Sequence, residues 1–151
     1  MTDKVDTRVP SAALKSVFAY RQHQLIEDFA FFKRLRDAGL NTRPLTIAMT
    51  GSRGSVGTAL TAQLRTAGHT VIQLVRGKAG SGQRHWNTNL PDPHLLDGVD
   101  VLVHLAGEPI FGRFNEEHKA DIRNSRVRPT ERLARLAGSS PSVRTLRCAT
   151  A

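Results

Sequence analysis

Three glycines stand three residues apart in Met49–Leu60, MTGSRGSVGTAL, between a short apolar run and a stretch with helical spacing. The run before them, Leu45–Met49, reads as a strand. The stretch after them, Ser55–Gly68, carries Val56, Leu60 and Leu64 at helical intervals and ends on a glycine. Few folds need a strand that turns through three glycines into a helix. Gly51 permits a sharp turn off the strand, Gly54 keeps no side chain between a pyrophosphate and the backbone, and Gly57 lets the helix pack closely. The first helical turn presents N–H groups without partners, and its dipole adds about half a positive charge there. Ser52, Arg53, Ser55 and Val56 complete this candidate phosphate cradle. A Walker-type loop is excluded, because no Gly-Lys-Ser/Thr follows at the right place. The later GKAGSG, residues 77–82, lacks a hydroxyl after its lysine and reads as a mobile turn.

Beyond the loop, short apolar runs alternate with helical stretches. His69–Val75 is the next expected strand, and Arg76–Arg84 a flexible connection. His85–Gly98 reads as loop with one helical turn near Leu95. Val99–Gly107, VDVLVHLAG, is a third strand whose apolar residues run on without alternation, as in parallel strands buried on both faces. Asn115–Gly138 reads as a helix with a possible break at Pro129, and Val143 opens a last strand. This alternation predicts an α/β fold with a parallel sheet.

A different rhythm precedes it. In residues 11–38, Leu14, Phe18, Leu25, Phe29, Phe32 and Leu35 recur at helical intervals, with Val17, Ile26 and Phe31 widening the face. Ser11 is the expected N-cap after Pro10, and Gly39 the stop. Four of the six phenylalanines lie here, so this one long amphipathic helix needs a partner to bury it. The expected organisation is a helical segment over 1–40, a linker over 41–44 and a nucleotide-binding domain over 45–151.

The strand expected over His69–Val75 bears on which dinucleotide is bound. A carboxylate following that strand would select NAD through the adenosine ribose, but here the residue is Arg76. An arginine attracts a 2′-phosphate and can grip it with two parallel hydrogen bonds. Arg53 in the glycine loop is placed to approach the same group. At roughly 1.5–3 kcal/mol per charged hydrogen bond, two arginines would favour NADP over NAD by on the order of a hundredfold. The alternative is that both are ordinary surface arginines of an arginine-rich chain.

Net charge is +9, which admits an acidic ligand or nucleic acid as partner. The basic residues are spread along the chain without interleaved aromatics, so nucleic acid ranks as a distant third function. The densest cluster, Arg123–Gly138, reads as a solvated helix face. A single cysteine, Cys148, excludes an internal disulfide and a cysteine-cluster metal site, and is expected to be a small buried core residue. No metal site is expected. No apolar run approaches the roughly 20 residues needed to cross a bilayer, and the first residues lack an apolar leader, so a cytoplasmic location is the expectation.

With the loop, LVR (74–76), VDVLVHLAGEPI (99–110) and DIRNSRVRPT (121–130) in place, residues 45–151 resemble the extended short-chain dehydrogenase/reductase superfamily. The resemblance is to its nucleoside-diphosphate-sugar epimerase-like branch, in the NAD-dependent epimerase/dehydratase family. It implies a Rossmann-type doubly wound parallel sheet and a bound NADP, with NAD less favoured. TGSRGSVG is similar to the TGxxGxxG signature, and HLAGEPI and SRVRPT to segments of the branch. The resemblance puts Leu105, Ala106 and Gly107 along the cofactor and makes His104 structural. Glu108 would face the nicotinamide side, and Arg126 stands where many members carry asparagine. Trp86-Asn87 resembles a Trp-Asp pair near the adenine, with amide replacing acid. Thr150, in the terminal CATA, matches the hydroxyl residue that polarises a substrate, here a small molecule such as a nucleotide sugar.

The family's Tyr-x-x-x-Lys pair is absent, since the only tyrosine is Tyr20 in the first helix. The chain therefore reads as a fragment of a longer enzyme, an NADP-dependent oxidoreductase or epimerase, with a non-catalytic NADP(H)-sensing protein as the alternative. The segment VPSAALKSVFAYRQHQLIEDFAFFKRL is similar to the closing helix of a START-like (SRPBCC) domain, which implies that helix 11–38 packs on an upstream domain.

Overall fold

The computed structural model describes residues 10–39, 43–108 and 115–149. The chain divides into two compact units, Met1–Thr42 and Arg43–Ala151. In the first, α1 runs over Ser11–Asp37. Its N-cap is Pro10, with an extended backbone, one residue earlier than expected. Ser11 is thus the first helical residue and makes no cap hydrogen bond; a proline has no side-chain oxygen to offer in its place. At the other end the Ala38 and Gly39 amides bond to the Arg34 and Arg36 carbonyls, and Gly39 takes φ +69°, a conformation open to glycine. No residue of α1 is buried, and Phe18, Leu25, Ile26 and Phe29 are each more than half exposed.

The second unit is a five-stranded, all-parallel sheet flanked by helices on both faces. Its elements in chain order are β1 (Thr46–Thr50), α2 (Ser55–Thr66), β2 (Thr70–Val75), β3 (Gln83–His85), β4 (Val101–His104), α3 (Glu116–Ser139) and β5 (Thr145–Cys148). The strand order is β3-β2-β1-β4-β5. The chain begins at the centre, moves outward to β3, then returns to the other side of β1 for β4. The order therefore reverses between β1 and β4, the switch point of a doubly wound sheet.

Alternation along the strands divides the apolar residues between two faces. Ile47, Met49, Val71 and Val103 meet Leu60 and Leu64 of α2. Ala48, Leu74 and Leu102 meet Leu133 and Ala137 of α3, together with Trp86, Leu95, Leu96 and Val99. At the amino end of the sheet, Asp100 ties the strands together. Its carboxylate accepts hydrogen bonds from the Thr46 amide at 2.9 Å and from Arg43 at 2.8 Å, and its backbone carbonyl accepts from the Arg144 amide. The Thr46 N–H and the Arg43 guanidinium hold its pKa below the usual 3.8. The carboxylate therefore supports the fold above that value and loses this role as pH falls below it.

Four local expectations change. β3 lies within the expected flexible connection and first expected loop residues, pairing parallel with β2 from Gln73↔Gln83 to Val75↔His85. Its residues are polar, so no apolar pattern marks it. The strand expected over Val99–Gly107 is confined to Val101–His104, with Leu105–Gly107 in the turn beyond. α3 continues through Pro129 without a break. Proline removes one helical donor, but Leu133 and Ala137, buried one and two turns later, hold the second half against the sheet. Cys148 is exposed, because β5 is an edge strand with no neighbour on its outer side among the described residues. Among the described residues no helix is long and apolar enough to cross a membrane.

Leu133 is fully buried between α3 and the sheet. Leu133→Ala should lower unfolding free energy by about 2–5 kcal/mol, read as a shifted midpoint in urea denaturation with unchanged slope.

Candidate functional site

The carboxyl ends of β1, β2 and β4 open into a cleft of about 960 Å³, at the upper end of the ~300–1,000 Å³ usual for ligand sites. Gly51 leaves β1 at φ +67°, in the left-handed region. A Cβ there would lie 2.7–2.8 Å from the backbone of Leu105 and Ala106, so the loop and the turn after β4 meet main chain to main chain. Gly57 makes the complementary contact. A Cβ on it would lie 2.2 Å from the Gly51 carbonyl oxygen, which locks the first turn of α2 onto the loop. Gly54 is different: the nearest atom to its Cβ position is the Gly51 oxygen at 3.4 Å, and it borders the cleft. Close packing is thus served by the outer glycines and ligand access by the middle one.

Gly54 is the N-cap of α2, no side chain caps the helix, and no acidic residue lies in its first turn. Ser55 and Val56 are exposed on that turn and Gly57 is buried beneath it. An uncapped helix start leaves amide donors for an anion. Ser52 and Arg53 line the cleft with Gly51 and Gly54, and Arg76 lines it from the end of β2. Arg53 and Arg76 are exposed, and neither has a hydrogen-bond or ion-pair partner among the described residues. The opposite wall is Leu105, Ala106 and Gly107. The residues present therefore fit a phosphate-bearing dinucleotide: an open helix start, a bare glycine and two uncommitted guanidinium groups on one cleft. Thr150 lies outside the described residues.

A family model described as the NAD dependent epimerase/dehydratase family matches residues 47–151. The chain belongs to that family. It spans 31% of the length of curated epimerase family relatives that it matches at 45% identity. Among solved structures, a nucleoside-diphosphate sugar epimerase from Corynebacterium glutamicum is 52% identical with a TM-score of 0.81, covering 98% of this chain and 31% of that one. Human epimerase family protein SDR39U1, solved with NADPH, is 33% identical with a TM-score of 0.53, covering 64% and 33%. A short-chain dehydrogenase/reductase superfamily protein from Agrobacterium tumefaciens, with bound NAD, is 28% identical with a TM-score of 0.54, covering 70% and 32%. The fold is accordingly an NAD(P)-binding fold of the short-chain dehydrogenase/reductase type.

In this epimerase-family chain, side chains that the sequence left unassigned shape the cleft. Ser125 Oγ accepts from the Glu108 amide at 3.0 Å, and Arg126 donates to the Glu108 carbonyl at 3.2 Å. The Ser-Arg pair of SRVRPT therefore clasps the backbone just after Gly107 from both sides. The Arg126 guanidinium also occupies the space beside Gly107, 3.1–3.3 Å from where a Cβ would stand. Arg132 donates to the Thr88 carbonyl at 2.8 Å and to Asn89 at 3.0 Å, holding the loop after β3. Arg128 lines the cleft from the same helix, so part of the basic cluster faces the site. Asn87 is a turn residue whose side chain accepts from the Asn89 and Leu90 amides. Trp86 is buried and lines the cleft. Only tertiary contacts reveal the Ser125, Arg126 and Arg132 roles.

The two glycine functions are separable. Gly57→Ala should destabilise the protein by about 1–3 kcal/mol, since its Cβ meets backbone. Gly54→Ala should stay within about 1 kcal/mol of the parent, because the position is open and non-strained. Thermal melts of both variants check this.

Proposed function

We propose that this chain is the cofactor-binding portion of an epimerase/dehydratase-like oxidoreductase of the extended short-chain type, with NADP(H) preferred over NAD(H). The observation that carries the reading is the meeting of Arg53, Arg76 and the uncapped start of α2 on one cleft. The pyrophosphate would sit against Gly54 and the free amides of the first turn of α2. Arg53 and Arg76 would take the 2′-phosphate, and Leu105–Gly107 would lie along the remainder. When bound, the nicotinamide supplies a hydride donor or acceptor. The protein residues bind and orient it and shield one side of it from water.

Relatives about two to three times as long as this chain carry the family name, so the proposal gives this chain cofactor binding and gives turnover to the whole protein. The substrate class we assign to that whole protein is a small-molecule nucleotide sugar, supported by the name of the Corynebacterium relative. Thr150 is its proposed substrate-polarising hydroxyl. We further propose that α1 docks its phenylalanine-rich surface on an upstream START-like domain. The Corynebacterium match, which covers 98% of this chain, supports α1 as a shared part of a longer protein.

Trp86 is the only tryptophan and lines the cleft, so its fluorescence reports binding. Titration should show NADPH binding on the order of a hundredfold more tightly than NADH, and Arg76→Ala or Arg53→Ala should each narrow the gap by about tenfold. Equal affinity for the two nucleotides in the parent protein would overturn the NADP preference.

A further inference from the structure

Thr50 ends β1 and His104 ends β4, opposite each other in the parallel register. Thr50 Oγ1 lies 2.6 Å from His104 Nδ1, and 3.2 Å from each of the Leu105 and Ala106 amide nitrogens. A threonine hydroxyl has one proton and two lone pairs. The Ala106 amide donates to one lone pair and the Leu105 amide, shared with the Thr50 carbonyl oxygen at 3.4 Å, donates to the other, which leaves the hydroxyl proton for His104 Nδ1. His104 is then the neutral tautomer with its proton on Nε2, a buried atom that has no hydrogen-bond partner among the described residues. We propose that His104 is a positioning residue: by accepting the only proton of Thr50, it turns both hydroxyl lone pairs toward the Leu105 and Ala106 amides and so fixes the turn that walls the cofactor cleft. The link to cofactor binding rests on the functional reading above; the latch itself does not.

The surroundings of His104 suit a neutral acceptor. It is 3% exposed, and its ring stands edge-to-face with Trp86 at 5.7 Å between centroids. It meets the Thr50 hydroxyl on β1 and the Trp86 ring after β3, with Cys148 opposite it in the β4–β5 register; of the charged groups on α3, which packs on the same face, Arg126 and Arg132 bond to the Glu108 and Thr88 carbonyls. Neither the Thr50 hydroxyl nor the Trp86 ring is charged at neutral pH, and partial desolvation of the exposed Cys148 pushes its thiol up. Burial alone lowers the His104 pKa from 6.5. A second ring proton, on Nδ1, would point at an oxygen whose lone pairs are already taken, so protonation opens the latch. Because the folded pKa is the lower one, the latch is intact above the ordinary histidine value and is lost as pH falls through the folded value.

Amide hydrogen exchange at Leu105 and Ala106, measured by NMR on the ligand-free chain and corrected for intrinsic rate, reads the latch directly. His104→Phe keeps an aromatic ring but no acceptor, and should speed exchange of both amides by about fivefold to tenfold. His104→Asn places an amide oxygen near the Nδ1 position and should restore protection. In the parent protein the protection should fall at acid pH, whereas His104→Asn should show no such step. Adding His104→Phe to Thr50→Val should cost little beyond Thr50→Val alone, because both remove one contact. NADPH affinity should follow the same order.

Parent-like protection in His104→Phe, or equal loss in His104→Phe and His104→Asn, would overturn the proposal. If His104→Phe does not fold, imidazole ¹⁵N shifts of the parent decide: the Nε2–H tautomer supports the latch and the Nδ1–H tautomer refutes it. A parent protein that shows the exchange pattern but does not bind NADPH keeps the latch and refutes the cofactor reading.

Discussion

Main chain approaches main chain at the carboxyl end of the sheet more closely than side chains allow, and the cleft depends on that approach. The turn after β1 touches the turn after β4 at Gly51, and the first turn of α2 touches the same loop at Gly57. Neither contact has room for a Cβ, so steric exclusion sets these two positions whatever binds above them. The strand order explains why the contacts fall here. Chain reversal at the β1/β4 boundary sends the two connections to opposite faces of the sheet and leaves a crevice between them. A glycine at 54 then keeps the floor of that crevice bare.

Charge is distributed to match. The net charge of +9 is spread over the whole chain, and most of it plays no part in a site. Three arginines on the cleft, Arg53, Arg76 and Arg128, have no anionic partner among the described residues, whereas Arg43 is spent on Asp100 and Arg135 on Glu131. Arg43 ties its partner across 57 residues of chain, whereas Arg53, Arg76 and Arg128 line the cleft beside an uncapped helix start. An anion bound there gains from the guanidinium groups and the helix dipole together.

Backbone requirements were the legible part of the sequence. Glycine spacing, continuous apolar strands and helical periodicity located β1, α2, β2 and β4 to within a few residues, together with the loop. What escaped was set by tertiary contact. β3 is three polar residues made into a strand only by the free edge of β2. Pro129 sits in an unbroken helix because packing on either side outweighs one lost donor. Cys148 looks like core because a free cysteine is usually a small buried residue, but its strand lies at an edge. Ser125 and Arg126 read as helix surface until α3 brings them against the backbone of Glu108.

These contacts divide the work on the wall of the cleft. The turn from Leu105 to Glu108 has few apolar anchors, since Leu105 and Ala106 are half-buried and Gly107 and Glu108 exposed. Hydrogen bonds hold it at both ends: Thr50 takes the Leu105 and Ala106 amides, and Ser125 and Arg126 take the amide and carbonyl of Glu108. One end is buried and tied to β1, and the other is surface-exposed and tied to α3. A polar hold places the turn without filling the cleft with side chains, which a hydrophobic anchor would do. Its cost is that each hydroxyl must have the right partner, since an unmatched polar group at the buried end is penalised by its lost hydration. The Thr50–His104 contact meets that condition at the buried end, and Ser125, donating to the Ile122 carbonyl while accepting from Glu108, meets it at the exposed end.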